Sequence, residues 1–263
     1  MILNHNIEKA ILFSFKTHEI YQKQKRKGKD VPYIVHPLMV GMTLARVGAD
    51  DDTIVAGILH DTIEDSIPEK KVSWEMLAER FGENVANIVK SVSEMNKELS
   101  WEERKEQAVE AVKSYSHSEL LVKSADIVSN GSELIYDYKQ VEEEVFSRFN
   151  APREKILRHY LIMIRTIVEK WRENPLYHDL VVVAIGIQNI IGRNFMIKNP
   201  AGMIYCNDYD KEMVLECPVC GWKGKADDGG MDLFRGLFDV SCPICDKMLL
   251  IVSYTPLESD SDQ

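Results

Sequence analysis

The cysteines of this chain all fall after residue 205, and four of the five form two CxxC pairs. The pairs are Cys217 with Cys220 and Cys242 with Cys245, and 21 residues separate the two pairs. Each pair can place two thiolates on one side of a tetrahedron, and this spacing is typical of a closed, structural Zn²⁺ site in a reducing compartment. The pattern therefore predicts a zinc ribbon near the C-terminus, with Cys206 left over as an ordinary free thiol.

Residues up to about 190 follow a different pattern, with apolar side chains at helical spacing. Capping residues precede several of these stretches, among them Asp50, Ser73 and Ser100. The turn-forming segment 199–202 ends the helical pattern, and short β-prone runs follow it. The sequence therefore predicts a mainly α fold with three parts: an all-helical domain over residues 1–198, a small β-rich zinc ribbon over 203–257, and a polar acidic tail over 258–263.

The chain is acidic, with a formal net charge of −10. General attraction to nucleic acid or to an anionic membrane is therefore not expected. Residues 206–263 alone carry 12 acidic and 5 basic side chains, which disfavours binding of nucleic acid by the ribbon. We expect the ribbon instead to pack on the helical domain or to contact a second copy or a protein partner. No apolar run is long enough to cross a bilayer, and the first residues lack a secretory pattern, so the chain is expected in the cytoplasm.

Four polar residues with metal-binding or acid–base chemistry crowd one short stretch: His60, Asp61, Glu64 and Asp65. The residues before them are strongly apolar, and a continuous helix over 54–65 would place all four polar groups on one face. Burying a histidine and three carboxylates together is costly without a cation. A divalent metal ion is the simplest partner for such a cluster.

Two further candidate ligands, His36 and Asp126, lie elsewhere in the helical part. The full candidate set is His36, His60, Asp61 and Asp126. These nitrogen and oxygen ligands suit an ion such as Mn²⁺, which can lower the pKa of a bound water. Glu64 and Asp65 would then be free to transfer protons. Taken singly, each residue can equally be a hydrogen-bonded histidine, a helix cap or a solvated carboxylate.

A basic loop over residues 23–30 precedes His36. Its cations are Lys23, Lys25, Arg26, Lys27 and Lys29. In an acidic protein this local excess is a candidate funnel for an anionic substrate. Arg26 is the favoured phosphate ligand, because a guanidinium matches phosphate oxygens bidentately. For Lys23, Lys25 and Lys29 the favoured interpretation is a solvated basic loop.

Several motifs follow one another in a fixed order along the helical part: Arg26-Lys27-Gly28, Pro32-Tyr33-Ile34-Val35-His36-Pro37, Leu59-His60-Asp61-Thr62-Ile63-Glu64-Asp65, Phe81-Gly82, Arg104-Lys105, and Lys123-Ser124-Ala125-Asp126 with Asn130. In this order and approximate spacing they resemble the HD phosphohydrolase superfamily. The resemblance is closer to the hydrolase domain of RelA/SpoT-type alarmone enzymes, and it covers about residues 5–190.

This resemblance implies a set of roles. The ligands of one Mn²⁺ would be His36, His60, Asp61 and Asp126. Glu64 and Asp65 would assist attack of the activated water, Arg26 and Lys27 would contact phosphate, and Asn130 would face the nucleotide. The implied reaction is removal of the 3′-pyrophosphate from guanosine 3′,5′-bis(diphosphate), abbreviated ppGpp.

Three departures from the family pattern lie around the nucleotide pocket. The loop from Arg26 to His36 is one residue longer, Tyr21 stands where a histidine is frequent, and the segment 131–133 differs from the usual continuation. Two alternatives therefore stay open. One is an HD phosphatase for another nucleotide, such as NADPH, which some animal members dephosphorylate, or a nucleoside phosphate. The other is a non-catalytic nucleotide sensor or interaction module.

Overall fold

The computed structural model describes residues 5–94, 98–195, 203–205, 209–234 and 237–253. The predicted boundary at 199–202, the leftover Cys206 and the tail over 258–263 lie outside these residues. The chain divides into two compact units, residues 1–187 and residues 188–263. The first unit is helical and the second carries short strands, which confirms the predicted fold class.

The α-helices are α1 (His5–Phe15), α2 (Val35–Arg46), α3 (Asp51–Leu59), α4 (Thr62–Asp65), α5 (Trp74–Phe81), α6 (Glu83–Val92), α7 (Trp101–Val112), α8 (His117–Val141), α9 (Arg153–Lys170) and α10 (Tyr177–Phe195). A π-helix, Lys16–Tyr21, continues α1 directly. Short 3₁₀ turns occur at Pro68–Lys70 and Glu142–Arg148. Among the described residues, no helix is both long and apolar enough to cross a membrane.

The predicted capping residues begin the helices that they precede. The Asp50 carboxylate accepts the Thr53 N–H at 2.7 Å, which starts α3. Ser73 caps α5 by accepting a backbone N–H at 3.3 Å. Ser100 and the glutamate three residues later form a reciprocal capping box at the start of α7. Each cap satisfies N–H groups that have no partner inside the helix.

The core of the first unit lies where α2, α3, α6 and α8 pack together. Leu44, Leu59 and Leu120 come from three of these helices, and each is completely buried. The apolar stripe predicted on α6 also faces inward, since Val85 and Val89 are at most 1% exposed. Burial of these side chains supplies the main favourable term in folding this unit.

Two glycines let α2 and α3 approach each other closely. A methyl group at Gly41 would lie 2.6 Å from Cγ1 of Ile58, and one at Gly57 would overlap the Leu44 side chain. Both contacts are shorter than carbon atoms tolerate. The start of α2 lies beside the end of α3 in the fold. This close packing therefore brings the start of α2 next to the residues that follow α3.

The second unit contains two small sheets. Its strands are β1 (Met203–Tyr205), β2 (Val214–Glu216), β3 (Lys223–Lys225), β4 (Gly230–Phe234), β5 (Leu237–Ser241) and β6 (Met248–Ser253). One sheet has the strand order β1-β6-β5-β4 and the other pairs β2 with β3. The β1–β6 pair is parallel and the other pairs are antiparallel. The buried side chains Leu215, Phe238 and Val240 belong to the core of this unit.

Candidate active site

The helix ends of the first unit bring the four predicted ligands together. His36 is the second residue of α2, His60 and Asp61 follow α3, and Asp126 lies within α8. The two histidine Nε2 atoms are 3.2 Å apart. The His60 Nε2 lies 3.0 Å from Asp61 Oδ2, and the His36 Nε2 lies 3.4 Å from Asp126 Oδ1. Donor atoms of three of these residues, His36, His60 and Asp61, all lie within 4.8 Å of one another, as a metal site requires.

The prediction of one continuous helix over residues 54–65 is wrong. The first helix, α3, ends at Leu59, and a turn at His60 and Asp61 leads into α4. Side chains compete with the backbone for carbonyl groups at this point. The His60 Nδ1 bonds to Gly57 O at 2.8 Å, and the Thr62 hydroxyl donates to Leu59 O at 2.7 Å. The turn therefore separates the metal-binding pair from the acidic pair, instead of aligning all four side chains on one face.

The protonation of His60 follows from its hydrogen bonds. A carbonyl oxygen only accepts, so Nδ1 carries a hydrogen, and Nε2 is the nitrogen that faces the cluster, where it can hold a proton or bind a metal ion. Burial alone would lower the pKa of His60, but the Asp61 and Asp126 carboxylates raise it to about 9. The cluster thus favours a positive charge at its centre, and its nitrogen and oxygen donors fit a divalent metal ion.

Neighbouring side chains hold each candidate ligand in place. The Tyr33 hydroxyl donates to Asp61 Oδ2 at 2.7 Å. Lys123 and Asn130 donate to the two oxygens of Asp126, at 2.9 and 2.6 Å. Such outer partners fix the orientation of metal ligands and tune their basicity. The site is therefore organised by hydrogen bonds from α8 and from the segment before α2.

The predicted acidic pair lies beside this cluster. The Glu64 carboxylate accepts the Glu94 N–H at 3.0 Å, and Asp65 accepts the Gln24 side-chain amide at 2.9 Å. Burial and the nearby Asp61 raise the pKa of Glu64 to about 7. Each carboxylate of the pair is therefore oriented by a hydrogen bond. A carboxylate with a pKa near neutrality is suited to exchange protons with a reacting group.

Four residues near the site escaped the sequence prediction: His18, Gln24, His159 and Tyr160. His18 is completely buried, and its Nδ1 lies 3.0 Å from Oε1 of Gln24, which in turn holds Asp65. Burial, together with the neighbouring Lys105 and Lys123, lowers the pKa of His159 to about 3. Burial and Asp126 raise the pKa of Tyr160. The polar residues that flank His18 in the sequence gave no signal of its burial, and α9 offered none for His159 or Tyr160.

A cavity of about 220 Å³ opens next to the acidic pair, between the end of α6, α7 and α8. Glu94, Arg104, Tyr115 and Lys123 are among its lining residues. Arg104 lies 3.2 Å from the carboxylate of Glu94. The backbone N–H of Glu94 donates to Glu64. The cavity therefore offers space close to the cluster, and its cations Arg104 and Lys123 are held by Glu94 and Asp126.

Of the predicted substrate-binding residues, Asn130 lies on α8, and Arg26 and Lys27 lie in the basic loop. Arg26 donates to Asn130 Oδ1 at 2.7 Å, so two of the three predicted residues are in contact with each other. The Lys27 ammonium lies 5.4 Å from the centre of the Phe149 ring. Partial burial lowers the pKa of Lys27, and Lys105 and Arg26 lower it further. The positive charges of Lys105 and Arg26 beside Lys27 therefore favour binding of an anion at this position.

The four paired cysteines of the second unit also converge. Their sulfur atoms lie within 4.8 Å of one another, and both Cys217–Cys245 and Cys220–Cys242 are 3.5 Å apart. Each CxxC turn closes with the same backbone bond, from Gly221 N–H to Cys217 O and from Asp246 N–H to Cys242 O, both at 2.9 Å. Four thiolates in this arrangement suit a tetrahedral metal ion.

Comparison with known proteins links the helical unit to one family. A family model described as an HD domain matches residues 13–150. A protein from Aquifex aeolicus, named guanosine-3′,5′-bis(diphosphate) 3′-pyrophosphohydrolase, is 43% identical over 91 residues, which is 35% of this chain and 12% of that protein. A GTP pyrophosphokinase from Myxococcus xanthus is also 43% identical over 91 residues, with 35% and 11% covered. This chain thus spans about an eighth or less of both relatives.

Two solved structures share the fold. One belongs to a metazoan ortholog of SpoT, described as hydrolyzing ppGpp; its TM-score is 0.57 at 22% identity, with 73% of this chain and 98% of that chain covered. The other is a crystal structure of a Listeria monocytogenes protein, with a TM-score of 0.53 at 28% identity and coverage of 59% and 97%. Both matches cover nearly all of the known structure.

Proposed function

The chain belongs to the HD-domain family of metal-dependent phosphohydrolases, and we propose that it removes pyrophosphate from the 3′ position of ppGpp. One observation carries the proposal most directly: donor atoms of His36, His60 and Asp61 lie within 4.8 Å of one another. Asp126 Oδ1 lies 3.4 Å from the His36 Nε2, and Glu64, whose pKa is raised by Asp61, stands beside this group. The relative named as a 3′-pyrophosphohydrolase adds support for this reaction.

The proposed metal ion is Mn²⁺, held by His36, His60, Asp61 and Asp126. When bound, such an ion polarises a phosphoryl oxygen and makes water a better nucleophile at neutral pH. The carboxylates and the hydrogen bond at Nδ1 of His60 support this assignment, because donor atoms of three of these side chains face a shared space. The outer bonds from Tyr33 and Asn130 keep the ligands in position before any ion arrives.

Glu64 is the proposed proton acceptor. Its pKa of about 7 lets the carboxylate take a proton from the attacking water near neutral pH. Asp65, oriented by Gln24, is the second member of the pair. As water attacks the phosphorus, the bond to the ribose O3′ breaks, and the water oxygen stays with the released pyrophosphate. The proton that Glu64 took from the water is returned to the ribose oxygen, so GDP is the second product. Arg26 and Lys27 contact phosphate and neutralise its charge, while Asn130 faces the nucleotide.

For the second unit we propose one structural Zn²⁺ bound by Cys217, Cys220, Cys242 and Cys245. We keep residues 1–198 as the hydrolase domain, 203–257 as the ribbon and 258–263 as an acidic tail. A closed four-thiolate site leaves no position for catalysis, so the ribbon would stabilise the fold or contact a protein partner or second copy. Four reduced thiolates also agree with a cytoplasmic location.

The test is an assay with purified protein and Mn²⁺. The substrates are ppGpp, NADPH and a panel of nucleotides, with Asp61→Ala as the inactive control. Release of pyrophosphate from ppGpp by the native protein alone would support the proposal. If ppGpp stays intact while another nucleotide loses phosphate, the metal centre stands and the substrate is wrong. Binding of a nucleotide without any turnover would instead favour the sensor alternative.

A further inference from the structure

One face of α8 carries polar residues from the metal cluster outward. Asp126, Asn130, Glu133 and Asp137 follow one another at intervals of four, three and four residues, so they share a single face of the helix. At 1.5 Å per residue the series extends over about 16 Å. Asp126 marks the reacting end of the face, and Asp137 marks the distal end.

Glu133 and Asp137 bind the basic loop through ion pairs. Glu133 accepts the Arg26 Nε–H at 2.9 Å, also contacts Nη2 of Arg26, and lies 2.7 Å from the Lys29 ammonium. Asp137 lies 2.6 Å from Lys29 and 2.7 Å from Arg148. The side chains of Arg26 and Glu133 are only 13% and 27% exposed, so salt and water screen this pairing less than on an open surface.

The positive charge of the loop is therefore unevenly available. Arg26 and Lys29 are matched by carboxylates of α8, and Lys25 is matched by Asp30. Among the residues that the structure describes, Lys27 has no carboxylate within ion-pair distance, and it senses the charges of both Glu64 and Asp65. Free positive charge remains at the reacting end and is neutralised at the distal end.

We propose that Glu133 is a specificity-determining residue, which makes the site indifferent to a second phosphate group at the distal end of the substrate. A phosphate group at the distal end can bind Arg26 only by displacing Glu133. The free energy gained from this contact is offset by loss of the Arg26–Glu133 ion pair. The favoured substrate class is then a nucleotide recognised through the one phosphate group that is cleaved. This inference rests on the proposed function and refines it.

The test compares two substrates with the same reacting end, ppGpp and guanosine 3′-diphosphate, which lacks the 5′ group. The native protein is expected to have kcat/KM values for the two within about threefold of each other. Glu133→Gln removes the competing charge and keeps the shape, so it should raise the preference for ppGpp about tenfold through a lower KM. Glu79→Gln removes an exposed carboxylate from α5 and should leave the ratio unchanged.

A native enzyme that already strongly prefers ppGpp, together with an unchanged ratio in Glu133→Gln, would overturn the inference. Asp137→Asn provides a second variant, should Glu133→Gln fail to fold; it should shift the ratio in the same direction. If neither substrate is turned over, the affinities of GDP and guanosine for the Mn²⁺-loaded chain are measured by calorimetry and serve as the test instead. A gain for GDP alone in Glu133→Gln would uphold the inference while the proposed reaction falls, and equal affinities in both proteins would reject it.

Discussion

Replacing Glu64 by glutamine is expected to stabilise the metal-free protein at alkaline pH while removing its activity. The glutamine keeps an oxygen that accepts the Glu94 N–H, so the local backbone contact is preserved. What changes is the charge. In the native protein, burial and the Asp61 carboxylate raise the pKa of Glu64 from 4.5 to about 7.

The sign of the effect follows from proton binding. Between pH 4.5 and 7 the folded state keeps a proton on Glu64 that the unfolded chain releases, so the free energy of unfolding falls as pH rises through this window. The full shift corresponds to about 3 kcal/mol. Glutamine does not titrate, so the stability advantage of the variant should grow from under about 1 kcal/mol at pH 5 to about 3 kcal/mol at pH 8.

The measurement is urea unfolding of native and variant proteins at several pH values with a chelator present. Far-UV circular dichroism reports the helical unit, which keeps the reading separate from the zinc-dependent second unit. Glu79→Gln serves as the charge control and should follow the native pH profile. Added Mn²⁺ should shrink the difference, because a cation beside Asp61 stabilises the ionised form of Glu64.

A Glu64→Gln protein that is less stable than the native protein at pH 8 would refute this reasoning. A difference that does not vary with pH would also refute it, since the argument depends on one titrating group. Turnover of the variant should fall by about 10²- to 10⁴-fold, the range typical for losing a general acid or base. Together the two results would identify a residue that is kept at a cost to stability.

Three further outcomes are expected. Asp61→Ala should lose the metal ion of the helical unit and more than about 99% of turnover, and full activity with bound ion would show that the site is misassigned. Cys217→Ser should release zinc and make residues after 200 sensitive to protease, whereas zinc loss with unchanged resistance would contradict coupled folding. Gln24→Leu removes the donor to Asp65 and should lower kcat about tenfold with little change in KM, while Gln22→Leu, two residues away, should keep native rates.

Local signals account for the parts of the fold that the sequence predicted well. The caps at Asp50, Ser73 and Ser100 act within three residues of their partners, so short-range chemistry is enough to place those helix starts. The convergence of His36 and His60 was expected only through the family resemblance. Periodicity alone places each histidine on its own helix and leaves the distance between them open.

The errors arose where side chains compete with backbone or act over long separations. The break after Leu59 depends on His60 and Thr62 binding carbonyls of the preceding turn, which no periodicity detects. The π-helix that carries His18 is equally invisible in the apolar pattern. Pairing of Arg26 with Glu133 joins residues more than a hundred positions apart, so the apparent funnel could not be distinguished from a neutralised loop.

The glycines between α2 and α3 change how sequence variants of this protein should be interpreted. Helix propensity alone predicts that alanine at Gly41 or Gly57 stabilises its helix by roughly 0.5–1 kcal/mol. Yet each methyl group would push apart the two helices whose ends carry His36 and His60. A comparison of residue types alone would rate such a change as harmless. The expected effect is instead weaker binding of the metal ion, although every candidate ligand is intact.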